Sequence, residues 1–590
     1  MTASTLRPPG WYWPGTDWRL ALSCIAIGCV YFLVSLHSSG PAYLEDEIGY
    51  LANAAFFAGH KIDAASSYHA GYSLFIAPLF LLSDPFVVWK GVLAINAILW
   101  AANFAILHAI LRRLLPKAGE RDLLTATAIS VSYPAWIVSC GYAFATPAFV
   151  LVFLASVLCL FFWRKDKPLS LLPHSALAGF LYWVHPTGAA VALASLLAVA
   201  FAPYRKRDAR ALGLHVIVIV ALPIGYRLGI HDWIATSMTP PGYAPHSHYP
   251  SLMSALRALF TAHGALVFVA LLVGQFAYFI VGSFGMALAG MMFCLSQLVT
   301  RRTDAAAGAS DATTRPVYFY LAVAPLGIMA LGAMSFFQWT QFEGDFWIYG
   351  RYLEGALLPL LAIGIVVFRA DKSWAFKLVL AAIFLPAAGF LLDRMAAPGV
   401  THNIVNTVAF WPQYLSAGSG YPAWMLIGAI GLVAVAWYGK RLAIGLMVAA
   451  LPLSVYHQIL WHDGIFAGFS APSSLVAIVR TNFAPGTCVG FDPALPPGAT
   501  LFQRERYHLN SFYLFNYAYR RMSPAEWLAT CDGPLLTYDA AALVADGRGR
   551  LVAKEIKSNL FLVQRSSAPA LQVAKPTPAD IELQAQTLPR

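Results

Sequence analysis

The sequence predicts a polytopic α-helical membrane protein of about 13 transmembrane helices, followed by a small extracytoplasmic α/β domain. Three observations carry that prediction. Hydrophobic residues fill 59% of the 590 positions and charged residues only 11%, against about a quarter charged in soluble chains. Apolar stretches of near-spanning length recur along the first 460 residues, as a hydrocarbon core of ~30 Å demands. From Trp461 onward the charges crowd together, with 12 Lys+Arg and 10 Asp+Glu in the remaining 130 residues. The chain therefore divides into a membrane part, 1–460, and a more polar part, 461–590.

The expected spans lie near 20–37, 84–111, 122–140, 142–163, 174–184, 186–202, 212–229, 264–298, 316–337, 353–368, 374–392, 421–438 and 442–460. The segment around Trp183-Val184-His185-Pro186 is short for two crossings, and 264–298 is long enough to include an interfacial helix before its span. The first run lacks a small-residue cleavage site and reads as an anchor rather than a signal peptide. Basic clusters fall at alternate connections, among them Arg112/Arg113/Lys117/Arg121, Arg205/Lys206/Arg207/Arg210 and Lys440/Arg441. With Arg7 and Arg19 they place the N-terminus inside, so an odd number of spans puts the C-terminal domain outside. The net charge of +11 is thereby accounted for by topology, and nucleic acid is not an expected partner. Short outer loops favour a bacterial plasma (inner) membrane over the endoplasmic reticulum.

The unusual polar residues collect on the outer side. The first outer loop, 37–83, carries Glu45-Asp46-Glu47, Lys61, Asp63, Tyr68-His69 and Tyr72. A helix starting at the acidic triplet would lie along the membrane surface, with its carboxylates at the helix N-terminus that favours them. Gly71–Leu82 is too short to span and reads as a second interfacial helix. Further outer loops hold His231, Asp232, His246 and His248, then Glu343, Asp345, Arg351 and Tyr352, then Asp393, Arg394 and His402. Lys90 and Arg227 stand near outer span ends, where an ionisable residue either serves function or snorkels to the interface.

Asp46-Glu47 with Tyr50, just after the first span, resembles the Asp-Glu motif of GT-C membrane glycosyltransferases. Tyr68-His69-Ala70-Gly71-Tyr72-Ser73-Leu74 is similar to the Tyr-Pro-Pro-Gly-Tyr-Pro-Leu segment that often follows it, and His185-Pro186-Thr187-Gly188 to a His/Arg-Pro-Thr-Gly turn between spans. Gly350-Arg351-Tyr352-Leu353 with Pro359 resembles the start of a late span. The resemblance covers roughly 20–460 and is nearest to the protein mannosyltransferases and the lipid A aminoarabinose transferases. Two departures stand out: His69 where proline is common, and Thr146-Pro147 where many relatives carry an acid.

The resemblance implies an inverting transfer of sugar from a polyprenyl-phosphate donor to an extracytoplasmic acceptor hydroxyl, in a cell-envelope glycan or lipid. One carboxylate removes the acceptor proton, and the phosphate leaves without a general acid. Asp46 is then the expected base and Glu47 orients the sugar or substitutes for it. Arg351, matched to phosphate geometry, is the expected clamp, with Lys90 and Arg227 as second choices. Tyr68, His69, Tyr72, His185 and Tyr352 complete the expected substrate site.

No cofactor is required by this chemistry. The outer histidines and carboxylates leave a divalent metal open, but no Cys/His spacing reads as a zinc site. Five cysteines sit in or beside spans as small apolar residues, whereas Cys488 and Cys531 are expected to bridge in the C-terminal domain. The rival reading is a multi-span secondary transporter or a lipid-linked sugar flippase. Against it, no internal repeat is visible, and the acids crowd the outer loops instead of the midplane.

Overall fold

In the computed structural model, the residues described are 18–42, 44–63, 68–164, 167–201, 209–238, 252–283, 285–300, 311–337, 349–370, 379–380, 382–387, 389–390, 472–556 and 558–569. Twelve helices are labelled here in the membrane part: α1 (Trp18–Ser35), α2 (Leu44–Phe57), α3 (Pro85–Leu114), α4 (Glu120–Val131), α5 (Thr146–Leu160), α6 (Leu172–Val184), α7 (Gly188–Ala200), α8 (Ala209–Gly225), α9 (Ala262–Gly282), α10 (Met286–Thr300), α11 (Asp311–Phe336) and α12 (Arg351–Ala370).

Local chemistry sets several of their ends. α3 begins where the Asp84 carboxylate accepts from Phe86 N–H at 2.8 Å and Pro85 needs no hydrogen bond. It ends on Arg112 and Arg113, which suit a helix C-terminus. α8 carries Pro223 internally and runs on through a wide turn at Tyr226–His231 into the short helix Asp232–Met238.

Among the described residues, six helices are long and apolar enough to cross a membrane: Trp18–Ser35, Pro85–Leu114, Ala209–Met238, Ala262–Gly282, Thr314–Phe336 and Arg351–Phe368. Three shorter apolar helices, Thr146–Leu160, Gly188–Ala200 and Met286–Val299, pack among them. The expected span 122–140 is broken instead: α4 has 12 residues, about 18 Å of helix, and Pro134 opens a separate short helix. The run 264–298, expected to include an interfacial helix before its span, is instead the long apolar helix Ala262–Gly282 followed by the shorter Met286–Thr300, with Gly285 at φ +75° ahead of the second. Gly71–Leu82 is a short helix, Ser73–Ile76, followed by a 3-10 turn. The spans expected at 421–438 and 442–460 lie outside the described residues, as does most of 374–392.

The bundle has a lipid-side rim and a protein-filled centre. α1 is mostly exposed, through Leu22, Ile25 and Leu33, whereas α12 is mostly buried. α10 and α12 meet backbone to backbone at Gly290 and Gly364. A Cβ on Gly364 would stand 1.7 Å from the Met286 carbonyl oxygen, and one on Gly290 would stand 2.0 Å from that of Leu360. This is the small-residue packing by which helices approach in lipid.

Residues 472–569 form a separate layer. It holds helices α13 (Ser474–Asn482), α14 (Leu501–Tyr513) and α15 (Pro524–Thr530), and strands β1 (Cys488–Phe491), β2 (Ala518–Arg521), β3 (Leu535–Thr537), β4 (Gly549–Glu555) and β5 (Leu560–Arg565). The sheet order is β2-β1-β3-β5-β4; β1 runs parallel to β2 and β3, and β5 antiparallel to β3 and β4. The parallel pairs require crossovers, and α14 and α15 supply them. α14 starts in a capping box made by Thr500 and Gln503. Cys488 and Cys531 are disulfide-bonded, with Cα atoms 5.5 Å apart.

The sheet unit sits on the connection between α1 and α3. Phe512 packs edge-on to Phe80 and Trp89, and Phe515 to Phe80 and His60. Arg480 pairs with Asp84 at 3.3 Å.

Candidate functional site

The acidic triplet does open a helix. In the first turn of α2, Asp46 Oδ1 accepts from Tyr68 O–H at 2.5 Å, and Oδ2 pairs with Arg351 Nη2 at 2.7 Å. Both partners come from a distance in sequence. Tyr68 can lie on α2 because residue 49 is glycine: a Cβ there would stand 2.1 Å from the Tyr68 ring. Arg351 is the first residue of α12, and its guanidinium also covers the Phe144 ring at 4.0 Å. Asp46 and Arg351 retain 20% and 11% side-chain exposure, so the pair is reachable from outside the bundle.

A small cleft, partly open to solvent, adjoins Arg351. Its aromatic walls are Tyr50, Phe149, His185 and Tyr352, and Thr146 and Thr187 contribute hydroxyls. The Tyr352 ring packs on His185 at 4.8 Å and stacks with Phe336 at 5.3 Å. The His185-Pro186-Thr187-Gly188 turn is fixed from within, since His185 Nδ1 and Thr187 Oγ1 are 2.8 Å apart. Burial, then the neighbouring His69 and Arg351, hold His185 well below the usual histidine range, so it is neutral at pH 7.

Glu47 is placed differently from Asp46. It is fully buried, and its two oxygens accept from the backbone N–H groups of Ala42 and Ala143, each at 2.7 Å. It ties the start of α2 to the segment leading into it and to the loop before α5. Adjacent residues on a helix point about 100° apart, so one acid reaches the site and the other reaches the core.

Other expected site residues are likewise spent on the scaffold. Lys90 Nζ donates to the carbonyls of Leu36 and Ser38, at 3.0 and 2.9 Å, closing the end of α1. Arg227 pairs with Asp232 at 3.3 Å and contacts His231 Nδ1 at 2.6 Å. Tyr72 is buried with its hydroxyl on Asn96 at 2.8 Å. His69 is buried against Tyr182, Tyr226 and His231, and its Nδ1–H donates to the Tyr182 carbonyl. Burial lowers its pKa to about 3, so it stays neutral. The structure thus brings Asp46, Tyr68, Arg351, Tyr352 and His185 into one region; Glu47, Lys90, Tyr72 and His69 bond to the surrounding frame, and Arg227 pairs with Asp232 at the surface.

The sequence did not single out Phe144 and Phe149, or the buried Glu354. Glu354 lies one turn into α12 and accepts from Tyr278 O–H at 2.8 Å. Its signal was the spacing Arg351-x-x-Glu354, which puts both residues on one helix face. Among the described residues, no group of three or more His, Cys, Asp or Glu side chains is arranged to hold a metal ion. His246, His248, Glu343, Asp345, Asp393, Arg394 and His402 lie outside the described residues.

No protein-family model matches the chain, and no curated protein matches it. Solved structures do. ArnT from Cupriavidus metallidurans in the apo state superposes with a TM-score of 0.51 at 13% identity, covering 92% of this chain and 98% of that one. The same protein bound to undecaprenyl phosphate gives 0.51 at 12% identity, covering 93% and 98%. The likeness extends over nearly the whole of both chains and is one of fold: the chain shares the helical architecture of that protein.

Proposed function

We propose that this protein is an inverting glycosyltransferase that moves a sugar from a polyprenyl-phosphate donor to an acceptor hydroxyl at the outer face of the membrane. The observation that carries the reading is the Asp46–Arg351 pair at 2.7 Å beside an open cleft lined by aromatic rings and hydroxyls. It couples a carboxylate that can take a proton to a guanidinium that can bind phosphate, the two functions the reaction needs. The fold shared with a protein solved with undecaprenyl phosphate supports the choice of donor. The disulfide supports an oxidising, extracytoplasmic location for the C-terminal unit.

In this mechanism the donor phosphate enters beside Arg351 and competes for its guanidinium. Asp46 then loses its cation and keeps the Tyr68 hydrogen bond, which holds the carboxylate in place. The acceptor oxygen attacks the anomeric carbon while its proton passes to Asp46. The bond from that carbon to the phosphate oxygen breaks, and polyprenyl phosphate leaves as an anion. The aromatic faces of Tyr50, Phe149 and Tyr352 are suited to the C–H faces of a sugar ring, and Thr146 and Thr187 to its hydroxyls.

The test is transfer of radiolabelled sugar from polyprenyl-phosphate donors by purified, folded protein. Asp46→Asn preserves shape but removes the base, and is expected to lower turnover by about 10²- to 10⁴-fold. Wild-type turnover by Asp46→Asn would falsify the assignment of the base. Absence of transfer from every polyprenyl-phosphate sugar by the native protein would reject the reading as a whole.

A further inference from the structure

Asp63 lies in the connection between α1 and α3, is only 4% exposed, and takes no part in the site described above. Three of its groups meet a single helix of the C-terminal unit. Its backbone N–H donates to Ser511 Oγ at 3.1 Å, its carbonyl accepts from His508 Nδ1 at 3.0 Å, and its Oδ2 accepts from Tyr507 O–H. These partners share one face of α14. Lys61 Nζ is 3.4 Å from the other carboxylate oxygen. Behind them, Arg521 donates to His508 Nε2 at 3.1 Å and covers the Tyr507 ring at 4.3 Å. The Arg521 contact makes Nε2 the acceptor, so the His508 proton sits on Nδ1, facing Asp63.

Asp63 is also tied to α2. Past the end of that helix, His60 N–H donates to the Ala55 carbonyl at 2.8 Å, and Ile62 is fully buried. The Phe515 ring packs on His60 with centroids 5.0 Å apart. At the other end of α2, Tyr513 lies near the Glu47 carboxylate: burial first, and that carboxylate in addition, push its phenol above the ordinary range. One helix of the C-terminal unit therefore holds the segment that leaves the acidic helix and also runs near its first turn.

We propose that the C-terminal unit sets the position of the Asp46 carboxylate, with Asp63 as the positioning residue through which α14 holds α2. The catalytic consequence rests on the function proposed above, whereas the mechanical linkage does not. α2 is a rigid rod of 14 residues, so a shift at its C-terminal anchor is carried to Asp46 in its first turn. Misplacing a reacting group by about 1 Å costs on the order of 100-fold in rate.

The experiment combines hydrogen exchange and transfer kinetics on the full-length protein. Asp63→Ala is expected to speed amide exchange in 44–57 while β1 and β3 stay protected. Its kcat should fall about 10- to 100-fold and its donor KM should change less, because only the Tyr50 wall rides on α2 while those on α12 and the His185 turn are not moved. Asp63→Asn keeps an acceptor for Tyr507 and should recover most of the loss. Should Asp63→Ala also unprotect the sheet, Tyr507→Phe, which deletes one bond, decides by the same readouts. Native exchange in 44–57, or native kcat, in a folded variant lacking the Asp63–Tyr507 bond overturns the proposal. If the native protein transfers no sugar, the proposed function fails while the exchange data still test the linkage.

Discussion

Asp46 and Arg351 form a partly exposed ion pair, with Oδ2 and Nη2 2.7 Å apart, at the point where the first turn of α2 meets the start of α12. Neither residue is free in this state. Asp46 has one oxygen on Arg351 and the other on Tyr68, and Arg351 also leans on Phe144. A phosphate that takes the guanidinium frees the carboxylate, so donor binding and base activation are one event in the proposed mechanism.

That coupling predicts non-additive losses. Arg351→Ala should raise the donor KM and also lower kcat. The Asp46→Asn/Arg351→Ala double variant should be far less impaired than the product of the two single losses, because both act through one pair. Steady-state transfer kinetics on the four proteins measure this, and strict multiplicativity would separate the two roles.

Glu47→Gln should act on the fold. A glutamine has one acceptor where the carboxylate has two, so its amide would set a donor against the N–H of Ala42 or Ala143. The cost of the lost bond and the facing donors is about 1–3 kcal/mol, read as a lower melting temperature in detergent. A variant with native melting behaviour and no transfer would instead return Glu47 to the chemistry.

Gly364→Ala should reduce the yield of folded protein sharply. The added Cβ meets the Met286 backbone, which has no rotamer to move, and overpacking of this kind costs about 1–3 kcal/mol or more. Gly389→Ala, where a Cβ meets nothing within 4 Å, is the control. Size-exclusion profiles of the two variants give the answer, and equal monodisperse yields would refute the close packing of α10 on α12.

The C-terminal unit should carry an acid-sensitive contribution to stability. Glu555 pairs with Arg506 at 2.7 Å and accepts from Ser558. Burial pushes its carboxyl up, but Arg506 and Ser558 outweigh this, so the net shift is down. The stabilisation is therefore present above the ordinary glutamate range near pH 4.5 and lost as pH falls through the lower folded value. Glu555→Gln should be less stable than the native protein at pH 7, with the gap closing as acid is added. A gap independent of pH would exclude the pair as its source.

The sequence by itself determined what depends on composition and short-range order. Low charge and repeated apolar runs specified a membrane bundle, because lipid leaves helices as the way to satisfy each backbone group within its own segment. Adjacent motifs also marked Asp46, Tyr68, His185, Arg351 and Tyr352 as candidates before any of them had a neighbour. Tertiary structure decided which of the charged residues are available. Asp46 and Glu47 are equivalent acids in sequence, yet a helical turn of about 100° sends one to Arg351 and the other to two buried amides. Lys90 and Arg227, second choices to Arg351 in the sequence, are placed by packing on the carbonyls ending α1 and on Asp232. The number and breaks of the helices were equally hidden, since mean hydropathy is blind to where Pro134 or Gly285 interrupts a run. A residue type fixes what a side chain can do, but only the packing around it fixes which partner is near enough to use it.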